Sequence, residues 1–144
     1  MLMRFCYVTI SILFLFGCTK KNENGDDSIA TRKQHLTATR WKISTTEMVT
    51  ANGNQPQTIA TCRKDNLWEY KSDGSFAMYP GSSLCSTDEK TTFGTWELLN
   101  DGKFLKINIT GSGSYTDEVK TIEAGKLQLT YTTGNVYVDT YISN

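Results

Sequence analysis

The sequence predicts an all-β fold, an eight-stranded antiparallel up-and-down barrel preceded by a short N-terminal helix. Aromatic residues make up 11% of the chain, and Pro56 and Pro80 are its only prolines, which is typical of strands joined by tight turns. Apolar and polar residues alternate in segments separated by Gly-containing turns, so each segment would have one apolar face. A closed meander buries all of these faces and removes exposed edges, and a two-sheet sandwich is the alternative.

Length and charge limit the functions. The 144 residues suffice for one domain with a single core. Fifteen basic residues balance fifteen acidic ones, so bulk charge does not attract nucleic acid.

The N-terminus reads as an export signal. Residues 5–16 form an apolar run that is too short to span a bilayer but has the length of a signal-peptide core. The run ends in Leu15-Phe16-Gly17-Cys18, which resembles the lipobox of bacterial lipoproteins. That resemblance implies a signal peptide over 1–17 and lipidation of Cys18, whereas an ordinary secretory signal would make this cysteine incidental. Acyl chains on Cys18 would anchor the protein to a membrane.

A polar tether follows the cysteine. Residues 18–30 have almost no apolar side chain to bury, so we assign them to the lipidated cysteine and a flexible linker, and residues 31–144 to the barrel domain. In bacterial lipoproteins an Asp after the cysteine signals retention in the inner membrane, and Thr19 here favours the outer membrane. The sequence does not indicate on which side of that membrane the domain lies.

The domain begins with a helix and a strand. Ser28 can cap a helix over 29–37, and Arg40 to Val49 reads as the first strand, with Trp41 and Ile43 on one face. A turn at 51–54 follows, and 58–61 is either a short edge segment or loop.

The segment from Cys62 to Cys85 reads as a hairpin with a cysteine at each end. A three-residue loop that ends in Gly74 places Trp68 and Tyr70 on one face with two apolar residues of the next strand, Phe76 and Met78. Outside the reducing cytosol the two cysteines are expected to pair, which on the chain-entropy model stabilises the fold by about 3 to 3.5 kcal/mol. Two free thiols or a metal pair are the alternatives.

Two further hairpins complete the barrel. A two-residue Asp101-Gly102 loop joins strands 91–99 and 103–109 and pairs Trp96 with Ile107. The register of strand 116–122 is ambiguous at its Ala124-Gly125 turn. A Gly134-Asn135 loop would put 127, 129 and 131 opposite 138, 140 and 142. Tyr137 and Tyr141 would then face outward, either as a contact patch or as ordinary strand-surface aromatics.

The order of these motifs resembles the lipocalin-like domains of small Gram-negative bacterial lipoproteins. The resemblance runs from Leu36 to Ile142 and rests on the following residues: Leu36 and Trp41, Cys62 to Asp65, Tyr70, Asp73-Gly74-Ser75-Phe76, Cys85, Gly94-Thr95-Trp96 and Leu105 to Ile107. It implies an eight-stranded barrel and a lipid anchor.

Ligand binding is the first functional hypothesis. A small apolar or amphipathic molecule would lie in the barrel against Trp68, Tyr70, Met78, Trp96 and Tyr131. The alternative is a filled barrel that serves as an interaction module of the cell envelope, with an envelope protein as partner. We expect no cofactor, no metal and no enzymatic activity, because the chain has one histidine and no recognisable nucleophile motif.

Overall fold

The computed structural model describes residues 28–144. Cys18, the signal peptide and most of the tether lie outside the described residues. Two helices and nine strands follow one another in this order: α1 Ile29–Thr37, β1 Arg40–Thr50, β2 Gly53–Gln57, α2 Thr61–Lys64, β3 Leu67–Tyr70, β4 Ser75–Tyr79, β5 Thr92–Leu99, β6 Phe104–Ile109, β7 Gly113–Glu123, β8 Lys126–Thr133 and β9 Asn135–Ser143. Among residues 28–144, no helix is long and apolar enough to cross a bilayer.

Eight of the strands close into a barrel, which confirms the predicted fold class. Each strand from β3 to β8 pairs with the strand that follows it in the chain, and β1 pairs with both β3 and β9. All of these pairings are antiparallel. The remaining strand, β2, pairs with the outer half of β1 and contains Pro56, a residue suited to an edge because it has no N–H to donate. We predicted a turn and no strand in this segment, and β2 extends the sheet beyond the eight barrel strands.

Helix α1 covers one end of the barrel, hereafter the closed end. The predicted N-cap is confirmed, since the Ser28 hydroxyl accepts from the Thr31 N–H at 3.2 Å. Leu36 is fully buried, and the Trp41 indole N–H donates to its carbonyl at 2.9 Å. Arg32 also donates to the carbonyl of Gly102 in the β5–β6 turn at 3.0 Å, so the helix is fixed across the barrel end.

Two hairpins have the predicted register. In β3–β4, Trp68 pairs with Met78 and Tyr70 with Phe76, and Gly74 has a φ of 84° at the end of a three-residue loop. In β5–β6, the predicted pairing of Trp96 with Ile107 is also present. In both turns a glycine takes a positive φ, and these two glycines therefore determine which side chains face the core.

Strand β7 contains a bulge that explains its ambiguous pattern. The register with β8 shifts between Val119 and Thr121, so Lys120 is an extra residue on this strand. Val119 and Ile122 are both buried although three positions separate them. A regular strand cannot place both on one face, because the side-chain period is two.

The predicted register of β8–β9 is wrong by one residue. Leu127 pairs with Tyr141, Leu129 with Asp139, and the turn is centred on Gly134, whose φ is 76°. A shift of one residue exchanges the two faces of a strand. The odd-numbered residues of β9 therefore face inward, and the expected outward patch at Tyr137 and Tyr141 does not exist as predicted, because Tyr141 is buried.

A disulfide joins Cys62 and Cys85, with their Cα atoms 5.0 Å apart. Cys62 lies in α2, not in an extended strand, so the bond connects this helix to the β4–β5 loop. The core runs from Leu36 to Tyr141 in the chain, within the described residues. Residues 28–144 therefore contain a complete hydrophobic core of their own.

Candidate functional site

A cavity of about 400 Å³ lies inside the barrel at the end opposite α1, hereafter the open end. Eight side chains from α2 and four strands carry most of its polar and aromatic groups: Arg63, Trp68, Tyr70, Tyr115, Asp117, Tyr131, Asp139 and Tyr141. Pockets of this size accept small organic ligands.

The inner part of the cavity is apolar. Trp68, Ile107 and Leu129 line it from three different strands, and all three are buried members of the core. The Trp68 ring meets the Tyr141 ring edge to face, with 5.2 Å between the ring centroids. Pairing holds Ile107 opposite Trp96 and Leu129 opposite Asp139, so this surface is positioned by the sheet and not by loops.

Tyrosines form much of the polar wall. Burial raises the pKa of Tyr115 to about 12 and raises the pKa values of Tyr70 and Tyr141 well above their usual range. All three hydroxyls are therefore neutral at physiological pH and can donate a hydrogen bond. Tyr131 stacks on Tyr137 with centroids 5.5 Å apart, which places a further aromatic pair near the rim.

Two carboxylates face the cavity. Asp139 is only 2% exposed, and it accepts hydrogen bonds from the Thr46 hydroxyl at 2.7 Å and the Tyr141 hydroxyl at 3.4 Å. Asp117 lies on β7, on the same face of the sheet as Ile107. Burial raises the pKa of Asp139, and burial followed by repulsion from Asp139 raises the pKa of Asp117 to about 6.

A bulge in β1 supplies the Thr46 contact. The register with β9 shifts between Ile43 and Thr45, so Ser44 is an extra residue. Ile43 faces inward before this point, and Thr46 is then the inward residue opposite Asp139 after it. The bulge therefore provides the buried carboxylate with a hydroxyl donor that a regular strand would direct outward.

Arg63 brings positive charge to the cavity from α2. Its charge lowers the pKa of Asp139. Burial raises the same pKa by more, so the pKa of Asp139 remains above its usual value. The short helix is held in place by the disulfide and by Asp65, whose carboxylate accepts from the N–H groups of Ser82 at 2.7 Å and Ser83 at 3.3 Å. The disulfide thus supports one wall of the open end.

The structure brings together three of the five predicted lining residues. Trp68, Tyr70 and Tyr131 line the cavity. Met78 is partly buried against the core and lies outside this lining, where its sulfur accepts from the Asn66 amide at 3.7 Å. Trp96 lies towards the closed end, and its indole N–H donates to the Lys71 carbonyl at 2.9 Å.

Three polar residues of the lining, Asp117, Asp139 and Tyr141, were not among the predicted ones. Asp139 and Tyr141 were assigned to the outer face by the incorrect β8–β9 register, and Asp117 lies on the strand whose register the sequence left open. The signal that could have identified them is the tyrosine spacing in β9, Tyr137 and Tyr141, with Asp139 between them. Within residues 28–144, no cluster of three or more His, Cys, Asp or Glu side chains is arranged to hold a metal ion.

Residues 19–131 match the family model of the lipocalin-like domain. The chain belongs to the lipocalin-like domain family. A lipocalin-like protein from Bacteroides uniformis ATCC 8492 has a similar crystal structure, with a TM-score of 0.53 and 16% identity over 76% of this chain and 99% of that chain. An uncharacterized protein from Bacteroides eggerthii DSM 20697 has a TM-score of 0.48 and 13% identity over 71% of this chain and 96% of that chain. No curated protein matches the chain significantly.

Membership of the family agrees with the closed barrel. Lipocalin-like domains are typically non-enzymatic binding proteins, and the barrel described here has the cavity that such binding needs. The identity of a ligand does not follow from the family.

Proposed function

We propose that this lipocalin-like protein binds a small amphipathic molecule in the open-end cavity while a lipid on Cys18 holds it at the cell envelope, in the outer membrane. One observation carries the binding proposal: the cavity of about 400 Å³ has an apolar inner surface and a polar wall. The ligand's apolar part would contact Trp68, Ile107 and Leu129, and its polar part would lie near the tyrosine hydroxyls.

Calorimetric titration with decanol, a neutral amphiphile, tests the binding. Exporting the chain behind a cleavable secretory leader yields residues 19–144 without lipid, and these include the complete core. We expect decanol to bind with one-to-one stoichiometry. Leu129→Trp fills the cavity and should abolish binding, and Tyr131→Trp, nearer the rim, should weaken it.

A matched tryptophan serves as the control. Lys126→Trp lies on the same strand with its side chain exposed, so decanol should bind this variant as it binds the wild type. Unfolding curves establish that each variant is folded. Unchanged binding by folded Leu129→Trp would exclude this cavity as the binding site.

The anchor is tested separately. The lipobox-like sequence before Cys18 supports lipidation at this residue. Cys18→Ala should move the protein out of the outer-membrane fraction, whereas Thr19→Ala, its neighbour, should leave it there. Recovery of Cys18→Ala in the membrane fraction would contradict the lipid anchor.

A further inference from the structure

The polar groups of the cavity come from separate strands and converge on one region. Asp117 on β7, Asp139 on β9 and Tyr70 on β3 line the same space, and the charge of Asp139 contributes to the raised pKa of Asp117. The titratable and charged groups around the two carboxylates are Arg63, Tyr70, Tyr115, Tyr131 and Tyr141. Four of these five are neutral tyrosines, so the lining has two acidic groups and a single cation.

Neither carboxylate forms a salt bridge in the described part of the chain, and Arg63 is the cation of the same lining. Within residues 28–144, every salt bridge lies elsewhere, at Arg40–Glu69, Lys71–Glu69, Lys106–Glu97 and Lys120–Glu118. Asp139 has hydroxyl donors only, and Asp117 has no hydrogen-bond donor among these residues. Removing a carboxylate from water without a counter-charge is unfavourable, which the raised pKa of Asp117 reflects.

Tyr70 adds a hydroxyl to the polar lining of the same cavity. It is 2% exposed and lines the cavity, yet within the described residues no group forms a hydrogen bond with its hydroxyl. Because this hydroxyl lines the cavity, its hydrogen-bond partner can be water or a ligand. A ligand in the cavity could supply a partner for this hydroxyl.

We propose that the cavity is selective for cationic amphiphiles, with a protonated amine placed between Asp117 and Asp139 and within hydrogen-bond reach of the Tyr70 hydroxyl. The proposal rests on the function proposed above and specifies its ligand class. An ammonium group adds a second cation to a lining that has one, Arg63, against two carboxylates, and it brings several N–H donors. Its alkyl chain contacts the apolar inner surface. A fatty-acid carboxylate would instead add a third negative charge beside the two carboxylates.

Three probes with the same chain length and different head groups test this class. Decylamine, decanol and decanoate are titrated calorimetrically into the lipid-free chain at pH 7.5. We expect decylamine to bind at least tenfold more tightly than decanol, and decanoate to bind most weakly. Equal affinities for all three would overturn the cation proposal and leave amphiphile binding in place. Tightest binding of decanoate would overturn the cation proposal in favour of Arg63 as the dominant charge. No binding by any probe would overturn both proposals.

Isosteric variants assign the selectivity to the carboxylates. Asp117→Asn and Asp139→Asn should each reduce about tenfold the ratio of decylamine affinity to decanol affinity, with both affinities measured in the same variant. Glu118→Gln is the matched control, because this neighbour of Asp117 is exposed and pairs with Lys120 at 2.9 Å, and its decylamine affinity should equal that of wild type. If Asp139→Asn does not fold, the Asp117→Asn result alone decides, and an unchanged preference for the amine in that variant would overturn the proposal.

The pH dependence gives a second readout. A primary amine stays protonated between pH 7.5 and 5, whereas Asp117, with its pKa raised to about 6 by burial, becomes protonated over this interval. Decylamine binding should therefore weaken severalfold towards pH 5 while decanol binding stays constant. A constant affinity for decylamine would contradict the assignment of Asp117 as counter-charge.

Discussion

The two ends of the barrel use the same strand alternation with different residues. At the closed end, the inward positions of the strands carry fully buried residues such as Trp41 and Leu127. At the open end, the same strands carry hydroxyls and carboxylates, including Tyr131 on β8 and Asp139 on β9. This difference indicates that the closed end contributes most of the stability, whereas the open end provides the space and the polar groups for a ligand.

Strand β8 offers the strongest test of this division. Leu127 and Leu129 both face inward and both are buried, but only Leu129 lines the cavity. Leu127→Ala should destabilise the protein by about 4 kcal/mol, since it opens a new cavity in a filled region. Leu129→Ala should cost nearer to about 2 kcal/mol, because its side chain already borders open volume and loses fewer contacts.

Urea unfolding of the two variants measures both costs. Met78→Ala is the control, because Met78 is a partly buried apolar side chain outside the cavity. Decanol affinity should be unchanged in Leu127→Ala and altered in Leu129→Ala. Equal losses of stability for the two leucines would show that the ends are packed alike.

The disulfide should stabilise the open end in particular. Replacing Cys62 and Cys85 by Ser should lower the free energy of unfolding by about 3 kcal/mol on the chain-entropy model. Because α2 then loses one of its attachments, Arg63 is released from the cavity wall and decanol binding should weaken as well. Unfolding and titration with decanol measure the two effects, and the Leu127→Ala variant is the reference for destabilisation without a change in binding.

Decanol binding that stays intact in folded Cys62→Ser/Cys85→Ser would contradict a role for α2 in forming the cavity. In that case Asp65, through its contacts with Ser82 and Ser83, would be sufficient to hold the helix.

The closed end and the turns were largely predictable from the sequence. The capping residue Ser28, the buried Trp41 and the glycine turns at Gly74 and Gly102 all have local signatures, because each requires a particular hydrogen bond or backbone conformation. The barrel itself then follows from the demand to bury every apolar face.

The open end was less predictable because its signals are not local. Bulges at Ser44 and Lys120 change which side of a strand faces inward, and no single residue marks them in the sequence. Tyrosine is apolar along its ring and polar at its tip, so Tyr137 and Tyr141 fit either face of β9. Alternation therefore favoured Val138 and its even-numbered neighbours, and Asp139 was placed outside.

Asp117 should make the open end less stable at neutral pH. Its pKa is raised to about 6, so its contribution to stability is full below the unfolded value near 3.8 and is lost as the pH rises through about 6. Asp117→Asn should therefore stabilise the protein at pH 7.5 by about 1 kcal/mol. This is well below the roughly 3 kcal/mol that a rise of about two pKa units would give, because the carboxyl is partly exposed. Unfolding curves from pH 4 to 8 measure the gain.

The gain should be absent near pH 4, where Asp117 is protonated in the folded protein. Glu118→Gln, on the exposed face of the same strand, should give no comparable pH-dependent gain. A constant difference between Asp117→Asn and wild type across this range would show that the substitution acts through packing and not through charge.

Loss of the α1 cap should have the smallest effect and should be confined to the closed end. Ser28→Ala removes the acceptor of the Thr31 N–H and should lower the free energy of unfolding by about 0.5 to 1 kcal/mol. Ser28→Thr, which retains a hydroxyl, should recover most of that loss. Because α1 lies at the opposite end from the cavity, titration with decanol should give the wild-type affinity in both variants. Weaker binding in Ser28→Ala would mean that the two ends are coupled through the strands, since the helix does not contribute to the cavity lining.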